Sequence, residues 1–73
     1  MSMQNENIEV IVNGEPRCIA PGVTVTEMLT GLGLHPRLIV VEYNREILDR
    51  ALYEATEVRA GDSFELVHFV GGG

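Results

Sequence analysis

The chain opens with a period of two. Ile8, Val10 and Val12 alternate with Glu9, Ile11 and Asn13, the pattern of a strand with one face more apolar than the other. Asn13-Gly14 follows directly. Asn-Gly beside an apolar run signals a hairpin, because both central residues of a type I′ turn need positive φ. Arg17 to Ala20 is the predicted returning strand, and Pro16 at its start, unable to donate to a ladder, places it at a sheet edge. Pro21-Gly22 ends it.

The period then changes. Val25, Met28, Leu29 and Leu32 fall at i, i+3, i+4 and i+7, one apolar stripe of a helix facing a core. Thr24 stands three residues before Glu27, the capping-box spacing, so each side chain can satisfy an orphan amide of the first turn. Val23 and Met28 are placed for a hydrophobic staple around the cap. Gly31 weakens the helix and Gly33 stops it, which leaves about two turns with Gly33 at the C-terminal cap.

Leu38 to Tyr43 reads as a β-branched-rich strand led by Pro36 and closed by Asn44. Glu46 to Ala55 has two readings: Ile47, Leu48, Ala51, Leu52 and Ala55 fit helical spacing, while Glu46-Ile47 fits a short edge strand before a loose turn. Ala60-Gly61-Asp62 is a turn, and Ser63 to Val70 is the last strand before three glycines. The expected architecture is α+β, a four- to five-stranded mixed sheet with one main helix on one face. Seventy-three residues allow one domain, residues 1–70, followed by a Gly71-Gly72-Gly73 tail.

Composition narrows the classes. Leu, Ile, Val and Phe make up 23 of 73 residues, enough for a core, yet a domain this short has little interior in which to carve an active site. Eleven acidic residues against five basic ones leave a formal charge of −6. That charge repels phosphate backbones and anionic membranes, so neither nucleic acid nor membrane is the expected partner; basic protein surfaces suit it better. All five basic residues are Arg. A single cysteine gives no intramolecular disulfide, the polar, acidic start from Met1 to Asn7 does not look like a secretory signal, and the apolar runs are far too short to span a bilayer. A cytoplasmic location is expected.

No catalytic residues are evident. His35 lies beside a proline in a predicted loop and His68 in the last strand, so neither forms a recognisable nucleophile–base pair. Cys18 falls in a predicted strand, where a free cysteine ordinarily packs as a small apolar side chain. Two His and one Cys, widely spaced, match no zinc pattern, so no metal site is expected. The glycines do not follow a phosphate-loop spacing either.

The glycine tail remains. Gly71 to Gly73 add no packing and are the residues most costly to order, so they contribute nothing to the stability of the fold. Such an ending is also what a frayed terminus looks like. As a functional element, four residues from Val70 reach on the order of 13 Å. They can thread a channel too narrow for any side chain, and they display the α-carboxylate of Gly73 without cover. An ATP- and Mg²⁺-dependent partner enzyme could convert that carboxylate to an acyl-adenylate, whose carbonyl then accepts a sulfur, a thiol or an amine. The chain would be the substrate and carrier, not an enzyme.

The ordered set of features resembles the ubiquitin-like β-grasp sulfur carriers, most closely the ThiS family of the thiamine pathway. The features are the Asn13-Gly14 hairpin, the Thr24–Leu32 helix, the Val41-Glu42-Tyr43-Asn44-Arg45-Glu46-Ile47 segment, the Ala60-Gly61-Asp62 turn and the ending Glu65-Leu66-Val67-His68-Phe69-Val70-Gly71-Gly72-Gly73. The resemblance implies parallel first and last strands at the sheet centre, flanked by the second and third, and favours the strand reading at Ile47. It also implies an E1-like adenylyltransferase, related to ubiquitin-activating enzymes, that adenylates Gly73. Sulfur from cysteine, in many organisms through a cysteine desulfurase, then makes a Gly73 thiocarboxylate, which thiazole synthase uses to build the thiazole ring. No cofactor is implied on the carrier itself. Many members end in two glycines and this chain in three, so Gly72 and Gly71 are assigned to tail recognition, with Gly71 a recognised residue or a spacer.

A docking surface is also expected. If Leu38, Val40, Phe64 and Leu66 face the helix, the period of two sends Ile39, Val41, Val67 and Phe69 outward as an apolar patch rimmed by Glu42 and Glu65. A loop or a second copy of the chain could cover the same patch, and a register shift by one would dissolve it. Alternatives within the fold are the molybdopterin synthase small subunit, a ubiquitin-like modifier joined to target lysines, and an interaction domain with an inert tail.

Overall fold

The computed structural model of the chain describes residues 7–69. Strand β1, Ile8–Val12, turns through Asn13-Gly14 into β2, Glu15–Ile19. Helix α1, Val25–Gly31, follows, then a 3₁₀ turn at Pro36–Leu38 and strand β3, Ile39–Tyr43. The two-residue strand β4, Glu46–Ile47, a second 3₁₀ turn at Arg50–Leu52, and β5, Ser63–His68, complete the order. The sheet runs β2-β1-β5-β3-β4. β1 and β5 are parallel at its centre, and the remaining pairs are antiparallel. This is the five-stranded, one-helix mixed sheet expected of a β-grasp domain.

Local chemistry accounts for each element. Asn13 and Gly14 take φ of 52° and 82°, the positive values that a type I′ hairpin requires. Pro16 sits in the edge strand β2, where its missing N–H leaves no gap in the ladder. Helix α1 is short, and its start leaves no amide idle. The Val25 and Thr26 N–H groups donate to the Thr56 and Tyr53 carbonyls, and that of Glu27 to Thr24 Oγ1 at 3.2 Å. The Thr24 N–H in turn donates to Glu27 Oε1 at 2.9 Å, completing the capping box. At the other end Gly33, at φ 81°, sends its N–H to Thr30 O while Leu34 N–H reaches Leu29 O, the paired bonds of a Schellman motif.

The core lies between α1 and one face of the sheet. Val10 and Val12 from β1, Val25, Met28 and Leu29 from α1, Ile39 and Val41 from β3, and Phe64 from β5 are buried there with Tyr53 and Val58. Tyr53 resolves its buried hydroxyl by donating to Ile39 O at 2.8 Å.

The segment 46–55 takes the strand reading at Glu46-Ile47, and a single 3₁₀ turn replaces the helical alternative. Both Asn44 and Arg45 sit at positive φ, so the chain reverses tightly after β3 rather than continuing into a helix. β2 spans Glu15–Ile19 rather than 17–20. The last strand ends at His68 rather than at Val70, with Phe69 already outside it, and Val70 and the tail lie outside the described residues.

The phase of β3 differs from expectation. Leu38 closes a 3₁₀ turn and the strand begins at Ile39, pairing Ile39 with His68, Val40 with Val67, Val41 with Leu66 and Tyr43 with Phe64. Ile39 and Val41 therefore face the helix, while Leu38 is 43% exposed. Four consecutive apolar residues, Leu38 to Val41, carry no polar phase marker. Glu42 supplies one: it is exposed, so by alternation Val41 and Ile39 turn inward. Cys18 also departs from its expected packing role and is exposed on β2.

Candidate functional site

β5 delivers the chain to its glycine tail, and what holds β5 shapes how the tail leaves. At its start, Asp62 is the buried charged residue of the described part, and its carboxylate gathers three donors. Arg59 N–H donates at 2.9 Å, Tyr43 Oη–H at 3.1 Å and Asn44 Nδ2–H at 3.4 Å. The Asn44 Oδ1 accepts from Ser63 N at 2.9 Å. Tyr43 also stacks on Phe64, with ring centroids 5.2 Å apart. The entry of β5 is thus clamped to the end of β3.

Burial raises the Tyr43 phenol above its ordinary pKa of 10.0; its hydrogen bond to Asp62 and the negative charge there push the same way, and Arg59 opposes them. The folded state therefore holds the phenolic proton more tightly than the unfolded chain. The resulting stability is complete below about pH 10 and is lost as pH rises through the raised value. Chemical denaturation at pH 8 and pH 11 should show a smaller alkaline loss in Tyr43→Phe than in the parent; equal losses would remove Tyr43 as a source.

Further along, β1 ends and a side chain takes over. Asn13 N–H donates to Phe64 O at 2.8 Å, and the Asn13 carboxamide then reaches Leu66. Leu66 N–H donates to Asn13 Oδ1 at 2.7 Å, and Asn13 Nδ2–H to Leu66 O at 3.4 Å. On the opposite side Phe69 N–H donates to Leu38 O at 2.6 Å.

The sheet face away from α1 carries an apolar surface where β5 runs out. Val67 and Phe69 are each 56% exposed, as the alternation predicts. Ile39 and Val41, predicted beside them, are at most 1% exposed and belong to the core, because β3 runs in the opposite phase. Their places are taken by Val40, half-buried and paired with Val67, and by Leu38, bonded through its carbonyl to Phe69. Glu42 and Glu65, directly paired, border the patch at the end away from the tail, and Ile47 extends it toward the β4 edge. Two like charges facing each other across a ladder are unfavourable unless a cation comes between or beside them.

Gly71, Gly72 and Gly73, the tail residues singled out in the sequence, lie outside the described residues. His35, Cys18 and His68 fall on separate elements, before the first 3₁₀ turn, in β2 and at the end of β5. Among the described residues, no group of three or more His, Cys, Asp or Glu could hold a metal ion, and no helix is long and apolar enough to cross a membrane. Sequence reasoning missed the Asn13–Leu66 pair and the Asp62 cluster. Their signal was weak: an asparagine in a turn and an aspartate after Ala60-Gly61 are ordinary turn residues, and the partners lie far away in sequence.

Comparison with known proteins agrees with this architecture. Residues 10–73 match the ThiS family. The crystal structure of the thiamine biosynthesis protein ThiS from Geobacter metallireducens is 38% identical, with a TM-score of 0.78, covering 90% of this chain and all of that one. The sulfur carrier protein ThiS of Bacillus subtilis is 38% identical over 50 residues, which are 68% of this chain and 76% of that protein. A thiazole synthase from Magnetococcus marinus is 38% identical over 66 residues, 90% of this chain, and the chain spans 20% of that protein's length. The chain belongs to the ThiS family of ubiquitin-like sulfur carriers.

Proposed function

We propose that this chain carries sulfur for thiamine biosynthesis as a thiocarboxylate on Gly73 and is acted on by partner enzymes in the cytoplasm. The observation that carries the reading is the family match across residues 10–73, which takes in the glycine tail. In the first step a Gly73 carboxylate oxygen attacks the α-phosphorus of ATP on an E1-like adenylyltransferase. The acyl-adenylate forms, pyrophosphate leaves, and Mg²⁺ on that enzyme takes up phosphate charge. In the second a persulfide sulfur, drawn from cysteine through a desulfurase, displaces AMP at the activated carbonyl. A thiol then cleaves the S–S bond of the resulting acyl disulfide, leaving the thiocarboxylate on Gly73 and the two remaining sulfurs joined as a disulfide. Thiazole synthase then consumes the sulfur; a protein of that name carries a segment like this chain within a fifth of its length, which supports the pairing.

The chain's own contribution is presentation. Gly71 and Gly72 let the tail enter a narrow channel, since neither brings a Cβ to its walls. The Leu38, Val40, Val67 and Phe69 surface seats the body of the carrier on each partner, and the Glu42–Glu65 border meets a basic surface there. Deletion of Gly73 tests the assignment. The intact chain supports ATP-dependent pyrophosphate release with its cognate adenylyltransferase, and the shortened chain lowers that rate at least a hundredfold with an unchanged circular dichroism spectrum. Equal rates would show that adenylation does not occur at Gly73.

A further inference from the structure

We propose that Asn13 is a positioning residue for the tail: its carboxamide fixes the direction in which β5 leaves the sheet and so aligns the docking surface with Gly73. The proposal rests on the carrier reading above. The parallel β1–β5 ladder contains two residue pairs, Ile11 with Ser63 and Val12 with Phe64. Ile11 N–H donates to Asp62 O and Asn13 N–H to Phe64 O, so even-numbered residues turn their backbone groups toward β1. The next in that series is Leu66. β1 has no strand residue left to face it, because Asn13 at φ 52° begins the hairpin reversal.

The Asn13 side chain fills the missing rung. Its Oδ1 accepts from Leu66 N at 2.7 Å and its Nδ2 donates to Leu66 O at 3.4 Å, as the two groups of a peptide unit would. Among the described residues, β5 beyond Leu66 has a strand neighbour only on its β3 side, ending with the Phe69–Leu38 bond. Asn13 therefore marks the last point at which β5 is held from both sides. Val67 and Phe69 follow within three residues, and Gly73 stands seven residues on. Removing the carboxamide moves this point back to Phe64 and leaves Leu66 to Phe69 attached along one edge. Asparagine suits both tasks: it tolerates the left-handed conformation, and its amide offers one acceptor and one donor.

The role predicts a specific kinetic pattern. Gly73 is chemically unchanged when Asn13 is replaced, so the loss falls on seating the carrier rather than on reaction once seated. Asn13→Gly keeps the positive-φ turn and removes both side-chain bonds; Asn13→Asp keeps the turn and the acceptor to Leu66 N but loses the donor. The KM for the carrier with its adenylyltransferase should rise about fivefold in Asn13→Gly and by less in Asn13→Asp, with kcat within about twofold. Thr24→Ala, which removes the helix cap and neither of the Asn13–Leu66 bonds, controls for lost stability and should leave KM unchanged. Amide hydrogen exchange, which needs no enzyme, should quicken at Leu66 about tenfold in Asn13→Gly and stay constant at Val10 and Leu29. An unchanged Leu66 rate, an unchanged KM, or an equal KM rise in Thr24→Ala would overturn the proposal. If the unaltered chain is never adenylated by an enzyme active on its own carrier, the carrier reading fails and the positioning role with it. The Leu66 exchange rate then tells that failure apart from the absence of the tether.

Discussion

Replacing Phe64 with alanine should remove most of the stability of the fold. Phe64 is fully buried in β5, between β1 and β3, belongs to the same core cluster as Val25, Met28 and Leu29 of α1, and stacks on the ring of its cross-strand neighbour Tyr43. Truncating a buried phenylalanine costs about 3–5 kcal/mol, the sum of lost transfer energy and the cavity left behind. A chain of 73 residues has roughly 4–11 kcal/mol in total at 0.05–0.15 kcal/mol per residue. Collapse cannot fill the cavity easily, since the side chains around it come from the helix and from two flanking strands tied by their ladders. Guanidinium denaturation followed by circular dichroism should show a midpoint far below that of the parent, or no folded baseline at all. A loss under about 1 kcal/mol would mean that Phe64 is not central to the core.

Replacing Phe69 with aspartate should do the reverse, sparing the fold and blocking transfer. Phe69 is 56% exposed, so its removal leaves no cavity. Its ring stands on the surface proposed to meet the partners, beside Val67 and closest to the tail. Aromatic anchors at the centre of interfaces are worth about 2–4 kcal/mol, and a carboxylate driven into an apolar contact adds a desolvation cost. Together these correspond to at least a hundredfold loss in kcat/KM for adenylation, at about 1.4 kcal/mol per factor of ten. The far-ultraviolet spectrum and the denaturation midpoint should stay close to the parent. Undiminished loading would remove this face from the interface, and with it the docking role of Val67, Val40 and Leu38.

Much of the fold was legible because its signals are local. Asn13-Gly14 specifies a turn, Thr24 and Glu27 specify a helix start, and Gly33 specifies its end, each through bonds within a few residues. The order of strands came with the resemblance, not from periodicity. The phase of β3 was misread because Leu38 to Val41 is apolar on every position, so alternation had nothing to alternate with; Glu42 held the information, one residue beyond the run. That error placed Ile39 and Val41 on the surface and Leu38 and Val40 inside, while β5, where Glu65 breaks the run, kept its correct phase. The contacts that shape the candidate site were out of reach for a different reason. Asn13 to Leu66 and Asn44 to Ser63 join residues that only the folded topology brings together, and a turn asparagine looks the same in sequence whether or not its carboxamide has a second task. Cys18 is a different case: Pro16 already marked β2 as an edge strand, and Cys18 pairs with the exposed Glu9 on the face away from the core, so its exposure follows from signals that the packing habit of free cysteine overrode.

The measurement that tests the central claim most directly is the intact mass of the chain. It is taken before and after incubation with ATP, Mg²⁺, cysteine, a cysteine desulfurase and the cognate adenylyltransferase. A thiocarboxylate on Gly73 predicts a gain equal to the exchange of one oxygen for sulfur, dependent on ATP and absent when Gly73 is deleted. An unchanged mass, with the same enzymes loading another carrier in parallel, would contradict the assignment of this chain as a sulfur carrier.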